Sequence, residues 1–190
     1  DQADRLVFDA VNFKIASVRS KGRTLKFEND GKKLTVILPK PAHRGDKLDV
    51  AVQYKVTRPK LGLYFIGPDR GYPKKPVQVW TQGEDEYARY WFPCHDAPQD
   101  RTTTEVIARV PKGFTAVSNG RLVRKSAEGK NTLFHWKQEI PHATYLVTLA
   151  VGEFSEIKDT WRGKPVSYYV PHGREEDAKR AFGKTPQMME

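Results

Sequence analysis

The sequence contains one cysteine, Cys94, in 190 residues. A lone thiol forms no internal disulfide and supplies no multi-thiolate zinc site. No apolar run approaches the about 18 residues that carry a helix across a bilayer. Residues 1–20 alternate charged and apolar positions, so no signal peptide is visible. An initiator methionine is also missing, and a processed chain, or a piece of a longer one, is expected. The five histidines are His43, His95, His135, His142 and His172. None forms a His-Glu-x-x-His motif or an i, i+4 pair on a helix, so no zinc ligand set is expected in this chain. Pro141 separates His135 from His142 and reads as a break between two strands. There is no phosphate-cradling glycine loop: Gly62, Gly67 and Gly71 are isolated turn residues. Ser118 sits in no nucleophile elbow, and no repeat, low-complexity tract or linker divides the chain.

What is present suits a packed domain. Hydrophobic residues make up 38% and aromatic residues 11%, enough for a core. Lys and Arg outnumber Asp and Glu by 33 to 23, giving a net charge of +10. The excess is scattered, from Arg19, Lys21 and Arg23 to Lys74, Arg124 and Arg180, and no stripe or basic helix collects it. Such a balance implies a soluble basic surface, not a nucleic-acid partner.

The dominant period is two. In 48–56, Leu48, Val50, Val52, Tyr54 and Val56 alternate with polar residues, the pattern of a half-buried strand. Residues 33–38 read the same way. Asn29-Asp30-Gly31 lies before them, so 25–38 reads as a hairpin. Further strands are expected at 10–18, 77–82, 103–110, 114–117, 121–125, 132–138, 144–152 and 166–170. Prolines 39, 41, 93, 98, 111, 141 and 171 fall at expected strand ends. Roughly ten short strands make this an all-β fold, an antiparallel sandwich or large twisted sheets. The C-terminus differs. Residues 174–182 favour helix, Gly183 ends it, and Thr185-Pro186 opens a second helix with an N-cap and a first-position proline. A helix of a few residues does not stand alone, so the natural chain is expected to continue past 190.

Two segments bear on chemistry. Cys94-His95 places a thiol beside an imidazole, but neighbours in an extended segment point to opposite sides, so Cys94 reads as a buried structural residue. Residues 81–86, Thr-Gln-Gly-Glu-Asp-Glu, form an acidic patch in a basic chain. If the strand continues, Gln82 and Glu84 share one face. Gly83 between them admits another backbone or a ligand at close range. A carboxylate beside an amide oxygen suits an ammonium group, which needs three acceptors. A solvated strand-end loop is the plain alternative.

Thr81-Gln82-Gly83-Glu84, then Ala88-Arg89, then Trp91-Phe92-Pro93-Cys94-His95-Asp96-Ala97-Pro98, resembles the signature of the aminopeptidase N family of zinc aminopeptidases. Gly62-Leu63-Tyr64-Phe65, Leu34 to Pro39, Val110 to Gly113, Ala116 to Gly120 and Tyr145 to Phe154 fit the same family in the same order. Ala97 departs from the acidic residue common at that place. The resemblance implies the family's N-terminal saddle-like β domain over 1–173, with 174–190 a helical connector to a thermolysin-like catalytic domain of the same polypeptide. It implies zinc in the full-length enzyme, held by a His-Glu-x-x-His motif outside this chain. The Gly-x-Met-Glu-Asn exopeptidase motif is likewise outside it. Gln82 and Glu84 match positions lining the pocket for the first substrate residue, the acidic one helping to bind the free α-amino group of a peptide. Arg89, Trp91, Phe92, Pro93, Cys94 and Asp96 then anchor the loop that follows. The fragment alone is expected to be inactive and free of zinc. The rival reading is a free-standing β-sandwich module binding carbohydrate or protein. Nothing in the sequence chooses a compartment.

Overall fold

A computed structural model describes residues 2–190. The strands are β1 (Gln2–Asp9), β2 (Lys14–Ser20), β3 (Arg23–Thr24), β4 (Phe27–Asn29), β5 (Lys33–His43), β6 (Ala51–Lys55), β7 (Gly62–Ile66), β8 (Gln78–Gln82), β9 (Arg101–Pro111), β10 (Thr115–Ser118), β11 (Arg121–Glu128), β12 (Asn131–Ala143), β13 (Leu149–Gly152), β14 (Phe154–Trp161) and β15 (Lys164–Pro171). Helix α1 (Glu175–Phe182) and helix α2 (Thr185–Met188) follow. Strand makes up 54% of the chain and helix 10%, so the fold is all-β as the period-two pattern requires. The sheets run β1-β5-β4, β3-β2-β6, β10-β13-β8-β7, β11-β12-β9 and β14-β15.

The chain divides into two compact units. The first runs to Tyr64 and takes in Trp80–Thr104 and Lys137–Thr148. Its core is Ala10, Phe13, Val18, Leu25, Leu34 and Val36. The expected hairpin is there: β4 and β5 pair antiparallel, Phe27 opposite Val36 and Asn29 opposite Leu34. The Asp30 carboxylate accepts the N–H groups of Lys32 and Lys33 and closes the turn. Alternation then sends Leu34 and Val36 inward, both fully buried. Phe13 stacks on Tyr54 with ring centres 4.9 Å apart.

The second unit comprises Phe65–Val79, Glu105–Trp136 and Leu149–Glu190. Val110, Ala116, Phe134, Trp136 and Val151 form its core. The indole N–H of Trp136 donates to the Ala116 carbonyl at 2.8 Å, so the ring is buried without an orphaned donor. Strands β14 and β15 pair from Phe154–Pro171 to Trp161–Lys164. Helix α1 carries Glu175, Glu176 and Asp177 in its first turn, where carboxylates complement the helix dipole.

Several expectations shift. The strand expected at 10–18 is β2, which starts at Lys14, because the chain turns at Val11-Asn12 with Asn12 in the left-handed region at φ 59°. Strand β1 was not expected. It is an edge strand whose first half is exposed and polar, so it lacks a clean apolar face. Strand β14 was also hidden, its apolar positions interrupted by Glu156, Lys158 and Asp159. Strand β5 passes through Pro39 and Pro41 instead of ending there. Arg5 pairs with Ile37 but Ala3 with Ala42, so the prolines sit in a bulge where no ladder N–H is needed. Strand β12 likewise continues through Pro141 and carries both His135 and His142, which an odd spacing puts on opposite faces. Residues 144–146 form a 3-10 turn before β13. The Thr185 hydroxyl bonds back to the Phe182 carbonyl at 2.6 Å and does not cap α2.

Leu34→Ala should destabilise the first unit by about 2–5 kcal/mol, and Phe134→Ala the second by about 3–5 kcal/mol, because each leaves a cavity in a closed core. Leu122→Ala, at a half-exposed position, should stay within about 0.5 kcal/mol. Urea unfolding of the three variants reads all of this.

Candidate functional site

The acidic segment begins where β8 stops. Gln82 is its last strand residue, and Gly83 to Tyr87 form a turn closed by the Tyr87 N–H donating to the Gly83 carbonyl at 2.8 Å. The peptide bond between Glu84 and Asp85 is cis. A 3-10 turn over Ala88–Tyr90 continues directly. Glu84 is therefore carried on the turn, not on a continued strand as the alternation argument supposed.

Two glycines let backbone press on this turn from separate places. A Cβ on Gly83 would lie 2.4 Å from the Tyr145 carbonyl oxygen and 2.8 Å from the Tyr145 Cα. A Cβ on Gly62, at φ +78°, would lie 2.1 Å from the Tyr87 carbonyl oxygen. No side chain fits at either place, and Gly62 also adopts a conformation L-residues avoid. The close approach expected at Gly83 is thus made by the chain's own backbone.

A buried ionic network anchors the far end of the turn. The Asp96 side chain is fully buried. One of its oxygens accepts the Arg89 backbone N–H at 3.0 Å and Arg89 Nε at 3.1 Å. The other accepts the Thr144 hydroxyl at 2.8 Å. Arg89 Nη2 also donates to the Asp96 carbonyl at 3.0 Å and to Glu86 Oε2 at 2.6 Å. Asp9 joins from the end of β1: its Oδ2 accepts the Asp96 N–H at 3.1 Å and its Oδ1 accepts Lys33 Nζ at 2.6 Å. Asp9 and Cys94 exchange both backbone hydrogen bonds, at 2.7 and 3.2 Å. Burial alone would raise the Asp9 carboxyl. The Lys33 ammonium, the Asp96 amide and the Arg89 guanidinium overcome it and hold the group below its ordinary value.

The sequence-derived site residues divide clearly. Gln82 and Glu84 are exposed, and neither side chain has a hydrogen-bond or ion-pair partner among the described residues. Asp85 is exposed too. Glu86 is an anchor, bound to Arg89. Arg89 and Asp96 are the structural residues the loop needs. Sequence reasoning missed Asp9, Lys33 and Thr144 as their partners. Asp9 closes an alternating polar stretch that carries no motif, and Thr144 lies 48 residues from Asp96.

Cys94 is buried, and burial, reinforced by the Asp96 and Asp9 carboxylates, pushes its thiol far above the ordinary range. His95 turns instead to the Asp100 carboxylate. No thiol–imidazole pair exists there. Burial also raises the Tyr54 phenol to about 12, and its hydroxyl donates to the Trp91 carbonyl at 3.0 Å. His135 bonds to Glu105, and His142 to the Ile140 carbonyl. Among the described residues no three of His, Cys, Asp and Glu converge as metal ligands. Nor is any helix among them long and apolar enough to cross a membrane.

The profile of the Peptidase M1 N-terminal domain matches residues 1–146. A leucyl aminopeptidase of Saccharolobus solfataricus is 31% identical over 157 residues, 82% of this chain and 19% of that protein. Transcription initiation factor TFIID subunit 2 of Gallus gallus is 28% identical over 128 residues, 65% of this chain and 11% of that protein. In structure, an M1 zinc metallopeptidase from Deinococcus radiodurans matches 96% of this chain and 45% of its own length, with a TM-score of 0.73 at 20% identity, a likeness of fold. The chain therefore spans about a fifth or less of the length of the curated relatives it matches.

Gly83→Ala should cost about 1–3 kcal/mol, because the added Cβ drives against the Tyr145 backbone, which has no rotamer to yield. Gly67→Ala, whose nearest contact is 4.0 Å away, is the matched control, and thermal unfolding compares the two. A second expectation concerns acid. Asp9 holds fewer protons folded than unfolded, so its contribution is complete above the unfolded value of about 4 and is lost as pH falls through the lower folded value. Asp9→Asn should lower stability at pH 7 by about 1–3 kcal/mol and flatten the loss between about pH 5 and 2, as read by urea midpoints along a pH series.

Proposed function

Since the chain belongs to the Peptidase M1 N-terminal domain family, we propose that it is the substrate-recognition domain of a zinc aminopeptidase. Residues 1–173 form the recognition domain, and 174–190 connect it to a thermolysin-like catalytic domain of the same polypeptide. Gln82 and Glu84 receive the free α-amino group of a peptide. One observation carries the reading: an exposed amide at the end of β8 and an exposed carboxylate on the turn after it, both unpaired among the described residues, flank a backbone clamped at Gly83 and Gly62 and tethered through Arg89 to buried Asp96. An ammonium brings three donors. The Glu84 carboxylate and the Gln82 amide oxygen supply two acceptors, one charged, and the charged one is the stronger.

This chain's residues bind and orient. Among the described residues no group of three possible metal ligands converges: the thiol of Cys94 is buried and held protonated, and His95, His135 and His142 bond to separate partners. No step through zinc is assigned to them. In the full enzyme zinc, held by ligands proposed to lie outside this chain, would supply polarisation of the scissile carbonyl and activation of water.

The likeness to a TFIID subunit favours a second reading, in which the same domain serves as a protein-binding module without peptide cleavage. Kinetics separate the two. In the full-length protein, Glu84→Gln should lower kcat/KM for an aminoacyl anilide about 10- to 100-fold, the worth of one charge-assisted hydrogen bond. If the contact only anchors the substrate, the loss lies in KM; if it also sets the carbonyl in place, kcat falls too. Gln82→Ala should cost less. Asp85→Ala should stay within about threefold, as an exposed charge does. Glu86 is a poorer control because it holds Arg89. Unchanged kcat/KM in Glu84→Gln leaves Gln82 and Glu84 as plain solvated side chains, and a full-length protein without peptidase activity favours the binding module.

A further inference from the structure

One cross-strand aromatic pair stands beside the acidic turn and is partly open to solvent. Trp80 is 39% exposed, although it sits in β8 two residues before Gln82. Its ring stacks on Tyr64 of the neighbouring strand β7, centres 4.6 Å apart and planes within 24°. Thr81, between Trp80 and Gln82, turns the other way and bonds the Thr148 hydroxyl at 3.2 Å. Successive strand residues face opposite sides, so Trp80 and Gln82 stand on one side, about 7 Å apart along the strand. Part of a flat apolar face is thus open to solvent on the side of Gln82, backed by the stack on Tyr64. The stack fixes the indole plane, so the surface is formed before anything binds.

The chemistry of an amino acid ties this wall to the amino-group site. The side chain leaves from the same carbon that bears the ammonium. Whatever holds the ammonium therefore has the first side chain within one residue length. Gln82 offers an acceptor on the same side as the flat apolar face, about two strand residues away, and Glu84 follows on the turn directly after it.

We propose that the Tyr64–Trp80 stack is the wall against which the first side chain of a peptide substrate packs, and that it selects large apolar residues such as leucine and phenylalanine over small ones. The inference rests on the reading of Gln82 and Glu84 as the amino-group site. Trp80 is a specificity-determining residue in it, with Tyr64 positioning the indole ring.

The test compares leucine, phenylalanine and alanine anilides with the full-length protein. In Trp80→Ala the ratio of kcat/KM for leucine over alanine should fall about 5- to 20-fold, and the phenylalanine ratio at least as far, since an apolar contact of this kind discriminates by about that much. Trp80→Phe keeps a ring on the wall and should hold both ratios within about twofold. The ratio is internal: a loss of folded or active enzyme scales every substrate alike and leaves it unchanged. Trp80→Gln carries the same expectation should Trp80→Ala fail to fold. Unchanged ratios in a Trp80 variant that still responds to Glu84→Gln overturn the wall alone. Loss of the Glu84 effect, or a wild-type protein that hydrolyses none of the anilides, overturns the amino-group reading and the wall together.

Discussion

The geometry of the acidic turn depends on the buried carboxylate of Asp96. An unpaired charge in a closed interior costs several kcal/mol, so such a group persists only with its oxygens filled. Both are filled here, one by two N–H groups of Arg89 and the other by the Thr144 hydroxyl. One side chain thereby joins the 3-10 turn after the acidic segment to the short turn that holds Tyr145. Tyr145 is the residue whose backbone lies against Gly83. Asp9 extends the bond set to the end of β1 and, through Lys33, to β5. The turn is thus located by four separated stretches of chain.

That arrangement sorts the polar residues of one short segment into two kinds. Asp96, Arg89 and Glu86 are satisfied internally and resist displacement. Gln82 and Glu84 are satisfied by nothing in the described chain and keep their full capacity for a ligand. Binding groups act best when held in place by neighbours that do not themselves bind. Glycine serves the same end. At Gly83 and Gly62 the missing side chain lets backbone meet backbone, and backbone is stiffer than any side chain that could have filled the gap.

Legibility in the sequence followed range. The 25–38 hairpin could be read because its turn and its alternation are local, and the role of Gly83 because close approach follows from a missing Cβ. The inert Cys94 could be read from strand geometry alone. What depended on distant pairing could not. The polar half of β1 looks like surface until β5 is beside it, and Thr144 gives no sign of meeting Asp96. Pro141 looked like a break because a proline lacks an N–H, yet β12 runs through it. The role proposed for Gln82 and Glu84 is carried by family resemblance over a chain-long series of motifs, while spacing alone leaves a solvated loop open. The wall proposed at Trp80 needs the structure: only its exposure and its stack on Tyr64 set it apart from a core aromatic.

Charge poses the remaining question, because a chain of net charge +10 should repel an ammonium. Range resolves it. At physiological ionic strength exposed charges are largely screened beyond about 8 Å, so the scattered lysines and arginines act weakly on a group held at the turn. Three acidic residues stand consecutively at 84–86, and the cation bonded among them, Arg89, is already engaged by Asp96 and Asp9 as well as Glu86. The local balance stays negative inside a positive molecule. Long-range attraction would therefore contribute little to capture of a peptide amine, and the proposed recognition rests on contact at Glu84 and Gln82. Their fixed placement by buried neighbours then matters more than the charge of the chain as a whole.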